Sequence, residues 1–377
     1  MNYYAFCSFL PGATTTQLLC LIAYRKGGLK LAILSMLIWI TPSFLILLLL
    51  SLFFIRRDIF VIADDIFLLF NPMVVSFMIY AAIRFNLYHQ TAKRNIIQVF
   101  PNVFLIILFF KHPFIIPILF IINGLYAHLS HNGQLTVLYS NFANRFSINY
   151  RILTIYILLF ATFAISSEYS RKFETKNRYY FNILEHNFRF GSLVYGGGDV
   201  LIPLMYEQYI SRPTSQLTQR RNPEALSLNK HEFMTAAGVI RLIPGPVFAI
   251  TAFTTPYLLP NFQTEEKVLA SILATISIFL PGILILLIVS PLSHKLFSNK
   301  SFSNIIAGVN LTVLSIMIAS SLYLTYDLCF IESESMFEAF QNIATILVIL
   351  TLLIYSKLSH ASIALLSIII GALIHFL

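Results

Sequence analysis

Two ionisable residues, Asp199 and Arg241, stand inside otherwise apolar stretches of this 377-residue chain, and each lies beside a run that interrupts helical backbone. Asp199 follows Tyr195-Gly196-Gly197-Gly198 and precedes Pro203, while Arg241 opens the run Arg241-Leu242-Ile243-Pro244-Gly245-Pro246. A third break, Leu10-Pro11-Gly12-Ala13, leads into Thr14-Thr15-Thr16-Gln17. A helix that restarts after such a break presents free N–H groups and a positive dipole end, which suits an anion. Glycines in series let the backbone approach an oxyanion without side-chain obstruction. The candidate binding residues are therefore Gly12, Thr14, Thr15, Gln17, Gly196, Gly197, Gly198, Arg241 and Gly245, with Asp199 beside them. A charge in hydrocarbon costs about 2.5–3.5 kcal/mol unless it is paired or hydrated. Two readings of Arg241 and Asp199 stay open. In one, Arg241 attracts an anion and Asp199 carries a coupling proton; in the other, the two neutralise each other as a structural pair. A single Pro-Gly break is commonly a simple kink. Three breaks, two of them at equivalent places, favour a site.

The equivalence comes from an internal repeat. Residues 9–24, FLPGATTTQLLCLIAY, align with residues 242–257, LIPGPVFAITAFTTPY. Residues 39–53, WITPSFLILLLLSLF, align with residues 278–292, IFLPGILILLIVSPL. Pro11 matches Pro244, Tyr24 matches Tyr257, and Pro42 matches Pro281. A duplicated hydrophobic unit with a Pro-Gly break is the sequence sign of a secondary carrier.

These motifs must be positioned by membrane helices. The chain is 58% hydrophobic and 11% charged, with mean hydropathy +0.79, which leaves too little charge for a water-facing surface. Runs such as 29–55, 268–292 and 303–326 exceed the roughly 20 residues that cross a bilayer core. The expectation is an all-α polytopic membrane protein with ten to twelve membrane segments. Those near 9–24, 96–110, 113–129 and 190–210 are the weakest as full spans. The repeats occupy 1–85 and 181–326, joined by a membrane hairpin and span over 86–180 and followed by a helical pair over 327–377. The net charge of +9 sits in short loops, where it sets orientation, and no nucleic-acid motif accompanies it. Cys7, Cys20 and Cys329 are far apart and form no CxxC, so neither a metal site nor a disulfide framework is expected. No signal peptide is read at the N-terminus. No GxxxxGK[ST], GxSxG or HExxH occurs, and no cofactor is expected. Asp64-Asp65 reads as a solvated loop end. His89, His112, His128, His131 and His360 read as interface residues.

Loop charges give a topology. Arg25–Lys30, the loop with Arg84, Lys93 and Arg94, the loop with His294, Lys295 and Lys300, and Lys357 are basic and belong inside. By alternation Glu265 and Glu334 fall outside, so Lys26 and Lys295 face the cytoplasm of an inner membrane while Glu265 and Glu334 face away. Equivalent loops thus face opposite sides, an inverted repeat. Ser211–Lys230 reads as a solvated cytoplasmic loop. Arg171–Arg189 resists: it is basic, yet parity puts it outside. Either one run is re-entrant or this loop breaks the rule.

The chain resembles the chromate ion transporter family. The resemblance rests on FLPGATTTQLLCLIAYRKGG and TPSFLILLLLS in the first half. In the second it rests on FRFGSLVYGGGDVLIPLM, EFMTAAGVIRLIPGPVFAITAF, FLPGILIL and the stretch around Gly308 and Asn310. It implies a two-domain carrier of antiparallel halves that exports chromate, with sulfate as competitor, protons as coupling ion, membrane lipid as surroundings and a homodimer admitted. Members usually carry a Phe-Gly-Gly segment in each half. The second-half copy is Tyr195–Gly198, and the first would lie upstream of Met1, so a missing first helix is expected. Where members usually have Gln, this chain has Ser8 and Arg241; Asp199 replaces a neutral residue, and Pro11-Gly12-Ala13 replaces Pro-Gly-Pro. A neutral residue at the Arg241 position elsewhere in the family inclines the reading towards the structural pair. The alternatives to an oxyanion exporter are an inactive, truncated carrier and an integral-membrane enzyme acting on a lipid-linked substrate.

Overall fold

The computed structural model describes residues 3–8, 10–57, 69–89, 91–109, 115–129, 149–195, 197–222, 224–292, 300–331, 333 and 335–376. Gly196, Asp64, Asp65, His112, His131, Lys295 and Glu334 lie outside them. The described residues form helices and connecting turns, without strands: α1 Tyr3–Ser8, α2 Thr14–Arg57, α3 Phe70–His89, α4 Thr91–Leu108, α5 Ile115–Leu129 and α6 Tyr150–Lys172. There follow α7 Arg178–Leu193, α8 Gly198–Tyr206, α9 Gln216–Arg221, α10 Lys230–Val239, α11 Ile250–Tyr257, α12 Thr264–Val289, α13 Lys300–Tyr326, α14 Met336–Tyr355 and α15 His360–Phe376. Six of these are long and apolar enough to cross a bilayer: α2, α3, α6, α12, α13 and α14. The protein is an all-α polytopic membrane protein. Shorter apolar stretches lie in α4, α5 and α15.

All three expected breaks are present. Backbone leaves the helix between α1 and α2, between α7 and α8, and between α10 and α11. α2 breaks a second time, at Gly27 (φ −148°, ψ 20°) and Gly28 (φ 69°, ψ −162°). It is therefore two helices in series, and the longer part, 29–57, is the spanning one.

Each broken pair is a hairpin that enters and returns. In the first, the Arg25 guanidinium donates to the Tyr3 hydroxyl at 3.1 Å and lies 5.0 Å from the centre of its ring, so both feet stand together. In the second, α7 and α8, Arg189 donates to Gln208 at 2.9 Å, and Arg178, at the foot of α7, pairs with Glu224 at 2.8 Å. In the third, α10 and α11, Glu224 precedes one arm and Phe262 follows the other. The Phe262 ring lies 5.5 Å from Tyr179 and 6.1 Å from Tyr180, next to Arg178. The feet of the second and third hairpins therefore share one end of the bundle. The Arg25 end is the opposite one. The spanning part of α2 leaves it and brings Ser51, which donates to the Phe253 carbonyl at 2.8 Å, close to the far end. At 1.5 Å per residue its 29 residues cover about 43 Å. The hairpins of α1–α2 and α10–α11, equivalent in sequence, enter from opposite ends.

This arrangement corrects one expectation. Ser211–Lys230 does not share an end with Arg25–Lys30; it stands with Arg178 and Phe262. Hydropathy counts α8 as a crossing, whereas the chain turns back at Gly197. The difficulty over Arg171–Arg189 resolves in the same way. That loop lies opposite Arg25, and part of its charge is paired locally, Arg171 with Glu168 and Arg178 with Glu224.

The hairpins occupy the interior. Leu201, Ile202, Met205, Phe233, Ala236, Ala249, Ile250 and Phe253 are each 0% exposed, whereas the spanning part of α2 shows Leu34, Ile38 and Leu49 outward. Irregular backbone is tolerated in a membrane only where protein or a cavity surrounds it. α13 packs against α5 so closely that a Cβ at Gly308 would overlap the Asn123 carbonyl. Asn123 also donates to Thr312 at 3.0 Å and accepts from Asn102 at 3.3 Å.

Cysteines placed singly at Lys26, Glu224 and Glu265, in a background without the native cysteines, test the topology. Positions 224 and 265 should react with an impermeant thiol reagent from the same side, and position 26 from the other. Labelling of 26 together with 265 would overturn the opposed hairpins.

Candidate functional site

The tips of the three hairpins meet. The Gly12 N–H donates to the Val194 carbonyl at 2.8 Å, joining the first break to the second. A Cβ on Gly197 would stand 3.7 Å from Thr14 Oγ1, and one on Gly198 would overlap Val247, just ahead of α11. The N-termini of α2 and α8 and the short 3-10 turn Val247–Ala249 before α11 are thus neighbours. Gly197 needs its φ of +98° to make the turn, a region costly for any other residue.

The repeat is visible in how the tips pack. Gly12, with φ +117°, sits against Gly282, where a Cβ would fall 3.0 Å from the Gly282 Cα. Gly245, with φ +152°, sits against Ser43, where a Cβ would fall 2.6 Å from the Ser43 Cβ. Gly282 follows Pro281 and Ser43 follows Pro42, the matched prolines of the two halves. Each Pro-Gly tip is therefore seated on the Pro-containing helix of the opposite half.

A cavity of about 580 Å³ runs from these tips towards the Arg25 end. It is lined by Tyr4, Ser8, Thr14, Phe77, Tyr80, Ala81, Arg84, Phe85, Leu87, Asp199, Arg241, Met317 and His360. Of the candidates, it gathers Thr14, Asp199 and Arg241. Gly197 adjoins it through Thr14. Gln17 is buried and engaged elsewhere, with its amide nitrogen donating to the Pro11 carbonyl at 2.6 Å and the Gly282 carbonyl at 2.9 Å. That amide ties the first tip to α12. Thr15 is exposed and outside the lining, and Gly12 and Gly245 shape the tips without facing the cavity. The lining also holds residues that sequence reasoning missed as ligands: Tyr4, Tyr80, Arg84 and His360. Tyr80 and Arg84 sit one turn apart on α3, a spacing common on any helix, and His360 comes from α15, outside both repeats. The only sequence signal for Ser8 was its match to Arg241.

Arg241 and Asp199 are paired: Nη2 lies 2.6 Å from Oδ1. The contact is a close ion pair. The Arg241 side chain is 7% exposed and that of Asp199 38%. The guanidinium also lies 5.1 Å from the centre of the Phe77 ring. Among the described residues Asp199 is the ion-pair partner of this guanidinium, which carries five donors in all. A fork with spare donors at the wall of a cavity is suited to bidentate recognition of an oxyanion. Among the described residues no group of His, Cys, Asp and Glu could hold a metal ion.

The pair should behave asymmetrically. Removing one partner of a buried pair costs about 3–5 kcal/mol, less where the survivor reaches water. Asp199→Asn strands the buried Arg241 and should lower membrane abundance more than Arg241→Gln, which strands the half-exposed Asp199. The double variant should recover the level. A double-mutant cycle on abundance measures this, and strictly additive losses would show that the two do not interact.

Comparison with known proteins agrees with this architecture. The family model described as chromate transporter matches residues 1–128 and 181–376. A curated relative from Methanocaldococcus jannaschii, named Uncharacterized transporter MJ0718, is 23% identical over 384 residues, covering 99% of this chain and 84% of its own length. No solved structure matches. The two stretches that match the family model contain all three hairpin tips and every residue of the cavity, and the chain belongs to the chromate transporter family.

Proposed function

We propose that this transporter moves a small tetrahedral oxyanion, chromate or sulfate, out of the cytoplasm through the inner membrane. The observation that carries the reading is the convergence of three hairpin tips on one cavity whose deepest cation, Arg241, has donors to spare. The helix N-termini and Thr14 add neutral donors, and the apolar wall of Phe77, Ala81, Phe85 and Met317 strengthens each of them by excluding water. A family named for chromate transport supports an oxyanion of that class.

The direction follows from the ends of the bundle. We assign the Arg25 end, whose described loops carry Arg25, Lys26, Lys30 and Lys357, to the cytoplasm. The opposite end is also basic, with Arg171, Lys172, Lys176, Arg178, Arg212, Arg220, Arg221, Lys230 and Lys267, but carboxylates hold Arg171 (Glu168), Arg178 (Glu224), Arg212 (Glu207) and Lys230 (Asp327). The cavity then opens inward, and its cationic mouth gathers anions from the cytoplasm. The two repeats, 1–85 and 181–326, move against each other around the tips, with 86–180 and 327–377 as their frame.

Gly197 provides the test. Gly197→Leu adds hydrophobicity, so membrane insertion should persist, but the side chain would fill the space beside Thr14 and force a positive φ on a branched residue. Uptake of labelled chromate or sulfate into inverted vesicles should fall to background at normal protein levels. Arg241→Gln should also abolish uptake, and the double change with Asp199→Asn should not restore it even where abundance recovers. Normal uptake by Gly197→Leu at normal expression would remove these tips from the transport path.

A further inference from the structure

His360 is the first residue of α15, in the C-terminal helical pair that belongs to neither repeat. Its ring is held edge-on by two aromatic residues of α3, 5.3 Å from Phe77 and 5.7 Å from Tyr80. It lines the cavity together with Arg84, whose guanidinium lies 5.9 Å from the centre of the Tyr80 ring. Among the described residues neither ring nitrogen of His360 makes a hydrogen bond, and neither does the Arg84 guanidinium. Aromatic packing thus fixes the imidazole while leaving both nitrogens for something in the cavity. The charged and titratable groups of the cavity it faces are Tyr4 on α1, Tyr80 and Arg84 on α3, Asp199 on α8 and Arg241 after α10, with exposed Lys357 in the turn before α15.

We propose that His360, with Arg84, completes the anion site and sets its preference for doubly charged over singly charged anions. This rests on the oxyanion reading above. Arg84, Arg241 and Asp199 leave the cavity one net positive charge, and protonated His360 makes it two, which matches a dianion. An imidazolium donates from both nitrogens, and a neutral imidazole from one only. A dianion held among Arg241, Arg84 and His360 therefore draws a proton onto the imidazole, whereas a monoanion of the same shape is satisfied by the arginines. The preference resides in a helix outside the repeats.

Binding of labelled sulfate to the purified full chain, with perchlorate as a tetrahedral monoanionic competitor, tests the proposal. Both probes keep their charge across neutral pH, unlike chromate, so any pH dependence belongs to the protein. Burial, with Arg241 and Arg84 nearby, holds the imidazole of the empty site below the ordinary histidine range, and a bound dianion raises it, so sulfate affinity of the wild type should be full at the acid side and fall by about tenfold as pH rises from below that range through it. Competition by perchlorate should barely change. His360→Gln should flatten the sulfate profile at its weak, high-pH level, and His360→Lys should flatten it at the strong level. Arg84→Gln should weaken sulfate at every pH and keep the slope. A wild-type slope in His360→Gln would overturn the proposal. So would a slope abolished by Asp199→Asn and left intact by His360→Gln, since the proton would then belong to Asp199. Saturable sulfate binding that is lost in Arg241→Gln but indifferent to His360 would refute this inference alone. A wild type that binds neither sulfate nor chromate at any pH would overturn the oxyanion reading as well.

Discussion

Everything in this molecule depends on keeping broken backbone out of lipid. Peptide groups released at a break have no water to turn to, and each one left alone costs several kcal/mol. The protein satisfies them with other breaks. Gly12 donates to Val194, and the Gln17 amide closes on Pro11 and Gly282, linking the first tip to the second hairpin and to α12. The tips are therefore mutually required. That explains why α8, α10 and α11, which carry the second and third tips, are buried along most of their length, while the spanning part of α2 shows Leu34, Ile38 and Leu49 outward.

The same constraint accounts for the reciprocal seating of the halves. A Pro-Gly tip has no side chain at its apex, so it can lie directly on a neighbouring helix. The neighbour must in turn be small at the point of contact. Gly282 and Ser43 meet that need, one beside each matched proline. Opposed hairpins that each rest on the other half form a closed pair of contacts, as a pseudo-two-fold relation between the repeats requires.

Much of this was legible in the chain. Pro11, Pro244, Pro42 and Pro281 gave the repeat, the glycine and proline runs gave the breaks, and Asp199 and Arg241 stood out because ionisable groups are rare in apolar surroundings. Hydropathy marked 190–210 only as a weak span and could not say that α7 and α8 turn back at Gly197; counting that run as a crossing misplaced Ser211–Lys230. Nor could it find Arg84 and His360. Their place in the cavity is set by how α3 and α15 pack on the hairpins, and no local pattern records that. Gln17 illustrates the converse: its type suited a ligand, but the carbonyls of the break it follows had first claim on its amide.

The two ends of the bundle differ in a way that bears on alternating access. At the end away from Arg25, ion pairs stitch the hairpins shut. Arg212 grips Glu207 through two hydrogen bonds of 2.9 and 2.8 Å, and Gln208 accepts from both Arg189 and Arg212. Lys230 reaches Asp327 at 2.5 Å, and Tyr206 donates to the same carboxylate, tying α10 to the end of α13. Glu207 and Asp327 each open a π-helical turn, a local underwinding that places an acidic side chain at the contact. At the Arg25 end the corresponding space is cavity. Charge pairs shielded from water are costly to separate but re-form in a defined geometry, so they act as a latch with two states. Arg212–Glu207 and Arg189–Gln208 lie within the second hairpin, so Lys230–Asp327, which joins separate elements, is the contact that any movement of α10 against α13 at this end must break.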